Sequence, residues 1–289
     1  MTSAPSVFIL GAGRAGTSLA RALAEAGVAI TGLHGRHAGA GPPAVSSGAI
    51  PPSIARATII LVAVRDAQME AALAEIMSAP LAPGAVVLHL SGSSDPAGLG
   101  ALRAAGHFAG TFHPLLPLAD PAMAGPMLRT AYIGVDGDAM AESAGRQLAS
   151  LLGAKVLRIP AGEKARYHAA AVFAANFPVV LSALAAELLR DSGVAPEEAW
   201  PAVVALMQAA AANIQTTAPE GALTGPLRRG DAETVALHLH ALRDERPILA
   251  AYIALSRAAI PLARRAGTDA AALDAIEREL TTHSSAASA

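Results

Sequence analysis

The stretch Phe8-Ile9-Leu10-Gly11-Ala12-Gly13-Arg14-Ala15-Gly16-Thr17 decides the fold. Residues 7–10 form a short apolar run that reads as a buried strand. Residues 17–26, rich in Ala and Leu, read as the helix that follows. A GxGxxG set between a strand and a helix is the context that makes a common glycine pattern a dinucleotide-binding fingerprint. Gly11 permits the tight turn, Gly13 lets the backbone approach a pyrophosphate with no Cβ in the way, and Gly16 lets helix and strand pack closely. The helix start then offers free N–H groups and positive partial charge to phosphates. Cofactor contacts are expected from Gly11, Ala12, Gly13, Arg14, Ala15 and Gly16.

Outward from this turn, residues 28–33 read as a second strand, followed by His34-Gly35-Arg36-His37. At this strand end an acid holds the 2′-hydroxyl of NAD, whereas an Arg accommodates the 2′-phosphate of NADP. No Asp or Glu stands between Glu25 and Asp66, so Arg36 favours NADP, although a solvated loop Arg would look the same. The Gly- and Pro-rich residues 38–52 read as loop. Residues 57–64 are a third buried strand, ending in Val64-Arg65-Asp66, with a helix over 67–77. Residues 85–90 are a fourth strand, ending in Ser91-Gly92-Ser93. A short helix over 99–105 and a strand over 108–112 lead to His113-Pro114. Strands at 131–135 and 155–159 around a helix at 140–152 complete this half. Such alternation predicts an α/β fold, a parallel doubly wound sheet with its ligand across the carboxyl ends of the strands. Val64, Arg65, Asp66, Ser91, Gly92 and His113 should border that crevice. Ser91 and Gly92 suit the nicotinamide ribose, since no GxSxG elbow surrounds Ser91.

From residue 162 the apolar spacing turns helical over 164–192, 196–217, 231–266 and 269–282, with no convincing strand. The expected division is a nucleotide-binding domain over 1–160 and an all-α substrate and dimerisation domain over 161–289. A chain of 289 residues with 53% hydrophobic and 3% aromatic residues suits closely packed, Ala-rich helices. A net charge of −2 with no basic stripe argues against nucleic acid, and the absence of Cys removes disulfides and thiolate chemistry. The N-terminus lacks the basic segment and apolar length of a signal peptide. The longest strongly apolar stretch reads as 58–64, far short of the roughly 20 residues that span a bilayer. The expectation is a soluble, cytoplasmic protein whose tail, 284–289, frays.

The stretches HLSGSSD at 89–95, TFHPLLPL at 111–118, KARYHAAAVFAAN at 164–176 and LTGPLRRGD at 223–231 carry a family resemblance over nearly the whole chain. The chain resembles the 6-phosphogluconate-dehydrogenase-like superfamily, which includes hydroxyisobutyrate dehydrogenases, ketopantoate reductases, pyrroline-5-carboxylate reductases and deazaflavin-dependent NADP reductases. More closely, it is similar to bacterial Rossmann-like proteins carrying DUF2520, a domain of unknown function. The resemblance implies an NADP-binding oxidoreductase fold and a homodimer through the helical domain.

Lys164, His168, Val172 and Asn176 follow one another at i+4 steps, a slowly drifting stripe on one helix face. Lys can protonate a carbonyl oxygen during reduction, His can exchange a proton near neutral pH, and Asn can fix a group without titrating. The β-hydroxyacid dehydrogenases resemble this region through a Lys followed four residues later by Asn; here His168 takes the second place. Lys164 and Asn176 lie about 18 Å apart along a straight helix, so all three reach one small substrate only if the helix breaks. His168 is the candidate beside the nicotinamide, with Lys164 at the rim and Asn176 a cofactor or packing contact. Their structural alternatives are a solvated Lys, a hydrogen-bonded core His and a packing Asn.

His113 could be an acid, a base or a substrate anchor, or could only cap the domain junction. His89 reads as a buried, hydrogen-bonded core residue. Thr224 and Arg229 could reach a substrate carboxylate or phosphate, Arg as a bidentate clamp. Asp231 suits the N-cap of the next helix. His238 and His240, two apart on a helix, do not face one another, and no metal motif is present.

The leading expectation is an NADPH-dependent reductase, or the reverse dehydrogenase, acting on a small carbonyl, imine or hydroxy compound in a cleft between the domains. A non-catalytic NADP-binding sensor or scaffold is the second reading, kept alive by His168 where relatives have Asn. A flavin or deazaflavin sharing the hydride with NADP is a third.

Overall fold

The computed structural model describes residues 4–288 apart from 94, 96, 97 and 119. The chain divides into two compact units, Met1–Phe177 and Pro178–Ala289. Sequence reasoning put this boundary at 160/161. The later division has a structural reason: the first helix after the sheet, α6 (Lys164–Ala171), bonds to the sheet through Lys164 and Tyr167.

The first unit is built on eight strands: β1 (Ser6–Leu10), β2 (Ala29–His34), β3 (Val45–Ser46), β4 (Ile59–Val62), β5 (Val86–His89), β6 (Phe108–Pro114), β7 (Tyr132–Gly137) and β8 (Lys155–Arg158). Their order in the sheet is β3-β2-β1-β4-β5-β6-β7-β8. Side chains alternate across a strand, and here both faces are apolar. Val7, Ile9, Leu61 and Leu88 belong to one core, with Leu19 and Leu23 of α1 (Arg14–Glu25) and Leu148 of α5 (Ala139–Leu151). Phe8, Leu10, Ile60 and Val87 belong to the other, with Leu73 and Ile76 of α2 (Met69–Met77) and Leu102 of α3 (Leu99–Ala104). Helices on both faces are what a sheet with continuous apolar strands requires.

The sheet departs from the all-parallel expectation at one place: β6 and β7 are antiparallel. A parallel return needs a crossover along the sheet, usually a helix. Between β6 and β7 the described residues hold a 3₁₀ turn (Pro121–Met123) and the five-residue α4 (Ala124–Leu128), and β7 returns beside β6 in the opposite direction. The segment read as loop over 38–52 holds the two-residue strand β3.

A five-residue π-turn, Val172–Asn176, follows α6 and leads into α7 (Phe177–Asp191). The second unit continues with α8 (Pro196–Thr216), α9 (Pro219–Ala222), α10 (Gly225–Arg229), α11 (Ala232–Ala241), α12 (Arg246–Arg265) and α13 (Ala270–Ser288). Its core is Val235, Leu239, Leu249, Ile253, Leu273, Ile276 and Leu280. The expected frayed tail is helical as far as Ser288, and Ala289 lies outside the described residues.

The apolar-length expectation needs correction. The helical run Lys164–Asp191 is, among the described residues, long and apolar enough to cross a membrane, with a mean hydropathy of 1.9 over its best window. Asn176 and Pro178 interrupt the run, and much of its apolarity is Ala, which masked its length in the sequence. Only 6% of that window is buried within the chain.

Candidate functional site

The turn between β1 and α1 has the geometry its glycines require. Gly11 sits at φ +113°, where L side chains are strained, and an added Cβ would also collide with the Ala63 carbonyl. A Cβ on Gly16 would strike the Gly11 carbonyl, so this glycine sets how closely α1 meets the turn. Gly13 differs: a Cβ there would project into open space. Gly13 is the N-cap of α1, and no side chain caps that helix end. Its first turn also holds no acid, so free N–H groups face outward with their positive partial charge.

This helix end opens on a cleft of about 640 Å³. Gly11, Ala12 and Gly13 line its floor, Val64 and Arg65 one wall, and Gly35, Arg36 and His37 the far end. His34, at the end of β2, is buried and held through Nδ1 by Ser46 Oγ (3.0 Å) and through Nε2 by the Gly48 carbonyl (3.2 Å). Arg36 is exposed and makes no ion pair among the described residues. An open N-terminus, a glycine whose Cβ would enter the cleft, and a cation beyond the ribose position together fit a phosphorylated dinucleotide. Arg14 and Ala15 form the first turn of α1 itself.

The expected crevice residues form two groups at the carboxyl edge. Asp66 Oδ2 accepts a hydrogen bond from Ser93 Oγ (2.9 Å), which lies 3.2 Å from Ser91 Oγ. Beside them the His113 ring lies against Gly92, where a Cβ would stand 2.8 Å from Cε1 and Nε2 and 2.9 Å from Nδ1. His113 Nδ1 meets Tyr167 Oη at 2.8 Å, and the His168 ring lies edge-on to His113 at 5.8 Å. Burial lowers His113 to about 4, with His168 adding to the shift and Asp66 opposing it. Burial also raises Tyr167 to about 12. His168 Nδ1 is shielded from solvent and has no partner among the described residues.

A third group lies deeper. Lys164 is 5% exposed, neither solvated nor at a rim. Its ammonium is paired with Asp95, donates to Thr111 Oγ1 (2.6 Å), and lies 3.4 Å from Asp136 Oδ2. Thr111 Oγ1, accepting from the ammonium, also lies 3.2 Å from His89 Nε2, a contact whose direction follows the His89 tautomer. His89 is the buried, hydrogen-bonded residue expected, although its Nδ1 has no partner among the described residues. Its pKa falls to about 4, chiefly through burial and then through the Lys164 charge.

Three of the four stretches singled out by resemblance therefore meet in space: His89 and Asp95, Thr111 and His113, and Lys164 with Tyr167. Ser94 of the first lies outside the described residues. Tyr167, Thr111, Asp95 and Asp136 were not recognised as site residues; the first three lie inside those stretches, which was the available signal. Asn176 is exposed and closes the π-turn, so the Lys–His–Asn stripe breaks there. The fourth stretch lies in the second unit. There Thr224 precedes α10, Arg229 pairs with Asp231 (3.4 Å), and Asp231 caps α11 by accepting from the Thr234 N–H.

Sheet order, glycine turn and helical second unit define a doubly wound nucleotide-fold protein of Rossmann type. Residues 131–259, from β7 into α12, match the family model described as domain of unknown function DUF2520. Similar solved structures span almost the whole chain. A Bacteroides fragilis protein, designated provisionally as an NADP oxidoreductase, is 22% identical with a TM-score of 0.69, covering 89% of this chain and 98% of its own. Protein TM1727 of Thermotoga maritima is 21% identical with a TM-score of 0.68, covering 90% and 98%. The Plasmodium falciparum pyrroline carboxylate reductase with NADP bound is 11% identical with a TM-score of 0.59, covering 98% of both chains. At these identities the likeness is one of fold. No curated protein matches the chain by sequence.

Proposed function

We propose that the protein is an NADP-dependent oxidoreductase that reduces, or in reverse oxidises, a small carbonyl, imine or hydroxy compound. The observation that carries this reading is the uncapped start of α1, open above Gly13 and facing a cleft that ends at Arg36. Gly11 to Gly16 would hold the pyrophosphate, Arg36 the 2′-phosphate, and Val64, Arg65, Asp66, Ser91 and Gly92 the nicotinamide half. NADPH supplies a hydride when bound. The chain's own part is to orient the substrate and manage the proton, with His113 and His168 the side chains nearest the carboxyl edge that can do so. Lys164, neutralised by acids and buried, is read as a support for that edge. Thr224 and Arg229 remain proposed substrate contacts.

The test is a fluorescence titration with NADPH and NADH in wild type and Arg36→Ala. Loss of one charge-assisted contact should weaken NADPH about ten-fold or more and leave NADH little changed. No binding of either nucleotide overturns the reading.

We also propose that two copies pair through the helical unit. Val179 and Val180 on α7 and Leu206 and Ile214 on α8 are 64%, 52%, 72% and 64% exposed, large apolar side chains on two helices that a second copy would cover. Sedimentation of the purified protein should give twice the mass of 28.9 kDa, and Leu206→Asp should shift it toward one copy.

A further inference from the structure

We propose that Tyr167 is a positioning residue that holds His113 as its Nε2–H tautomer, so that His113 offers a substrate carbonyl oxygen or imine nitrogen a neutral hydrogen-bond donor. The inference rests on the oxidoreductase reading for its substrate, but the tautomer is a property of the protein alone.

The geometry limits the imidazole to one arrangement. Its ring lies face-on against Gly92, since a Cβ there would be nearly equidistant from Cε1, Nε2 and Nδ1. Tyr167 is fixed in turn: its hydroxyl sits where a side chain on Gly134 of β7 would be, and its ring meets His113 edge-on at 78°. One hydrogen is shared across the 2.8 Å between Tyr167 Oη and His113 Nδ1. Phenol is a much stronger acid than neutral imidazole, and imidazole nitrogen is the better acceptor, so Oη donates and Nδ1 accepts. In the reverse arrangement the phenol hydrogen would find no acceptor among the described residues and would turn to solvent. With Nδ1 accepting, the ring hydrogen sits on Nε2, which makes no hydrogen bond among the described residues.

The groups facing His113 are Tyr167 and His168 from α6 and Asp66 from the turn after β4. Burial keeps both members of the pair uncharged near neutral pH, as the donor role requires. A neutral imidazole N–H polarises a carbonyl without carrying a charge into the site, and fixing its tautomer is the work of the group on the other nitrogen. No proton transfer is part of the proposal.

The experiment is nitrogen-15 NMR of ring-labelled protein at neutral pH without nucleotide, with His113→Gln used to assign the signals. Wild type should show a pyrrole-like Nε2 and a pyridine-like Nδ1 for His113. Tyr167→Phe, which removes one oxygen, should give the averaged signals of mixed tautomers. A wild-type Nδ1–H, or signals that Tyr167→Phe leaves unchanged, overturns the proposal. In parallel, both proteins are assayed with NADPH against a panel of ketones and cyclic imines. With any compound turned over, Tyr167→Phe should lower kcat more than ten-fold and leave NADPH affinity unchanged; an unchanged kcat refutes the donor role. If nothing in the panel is turned over, the oxidoreductase reading falls, while the NMR result still decides the tautomer.

Discussion

Three glycines in one turn do three different things, and substitutions separate them. Gly13→Ala adds a methyl group to open space, so the protein should unfold at nearly the wild-type temperature yet lose nucleotide binding. Gly11→Ala meets both a positive φ and the Ala63 carbonyl and should destabilise the first unit by about 2 kcal/mol or more. Thermal unfolding followed by nucleotide titration checks both. If Gly13→Ala binds NADPH as wild type does, the pyrophosphate does not lie over that residue. The roles of these glycines were legible from the sequence because strand, turn and helix are adjacent in the chain. The fate of Lys164 was not. A lysine in a first helical turn looks the same whether it is solvated or buried, and its partners Asp95, Thr111 and Asp136 lie on other strands and turns.

At the scale of elements, β5 and β6 bring His89 and His113 to the carboxyl edge as neutral bases. Both have a pKa of about 4 in the folded chain against 6.5 when unfolded. Between those values the unfolded chain binds more protons, so stability is complete above pH 6.5 and is lost as pH falls toward 4. His89→Gln should make denaturant unfolding less pH-dependent over that interval than it is in wild type. An identical pH slope in the two proteins would show that His89 is not neutral in the fold. The alternation of strands and helices was readable from apolar runs, since both faces of the sheet are covered. The reversal at β7 was not, because an apolar run is the same in either direction. The π-turn was equally hidden: Val172–Asn176 reads as ordinary helix, and the extra residue in the turn leaves no mark on composition.

At the scale of the whole molecule, the first unit ends beyond the last strand because α6 completes it. A fragment of residues 1–160 would leave Asp136 and Thr111 without their cation and the notch at Gly134 without Tyr167. The fragment would lose these contacts together, and with them part of a stability that is small for any domain. Residues 1–177 should therefore express as a cooperatively unfolding protein, and residues 1–160 as a far less stable one; circular dichroism during thermal unfolding separates them. Equal stability of the two fragments would show that α6 is not part of the unit.

The Lys164 ion pairs also set an order of events during synthesis. The chain emerges from its N-terminus, and domains complete in that direction. All eight strands precede residue 164 in the chain, so any sheet that forms before α6 folds does so with Asp136 lacking the Lys164 counter-charge. The first turn of α6 is therefore the last part of the carboxyl edge to be synthesised, and with it come the ammonium beside Asp136 and the phenol beside His113.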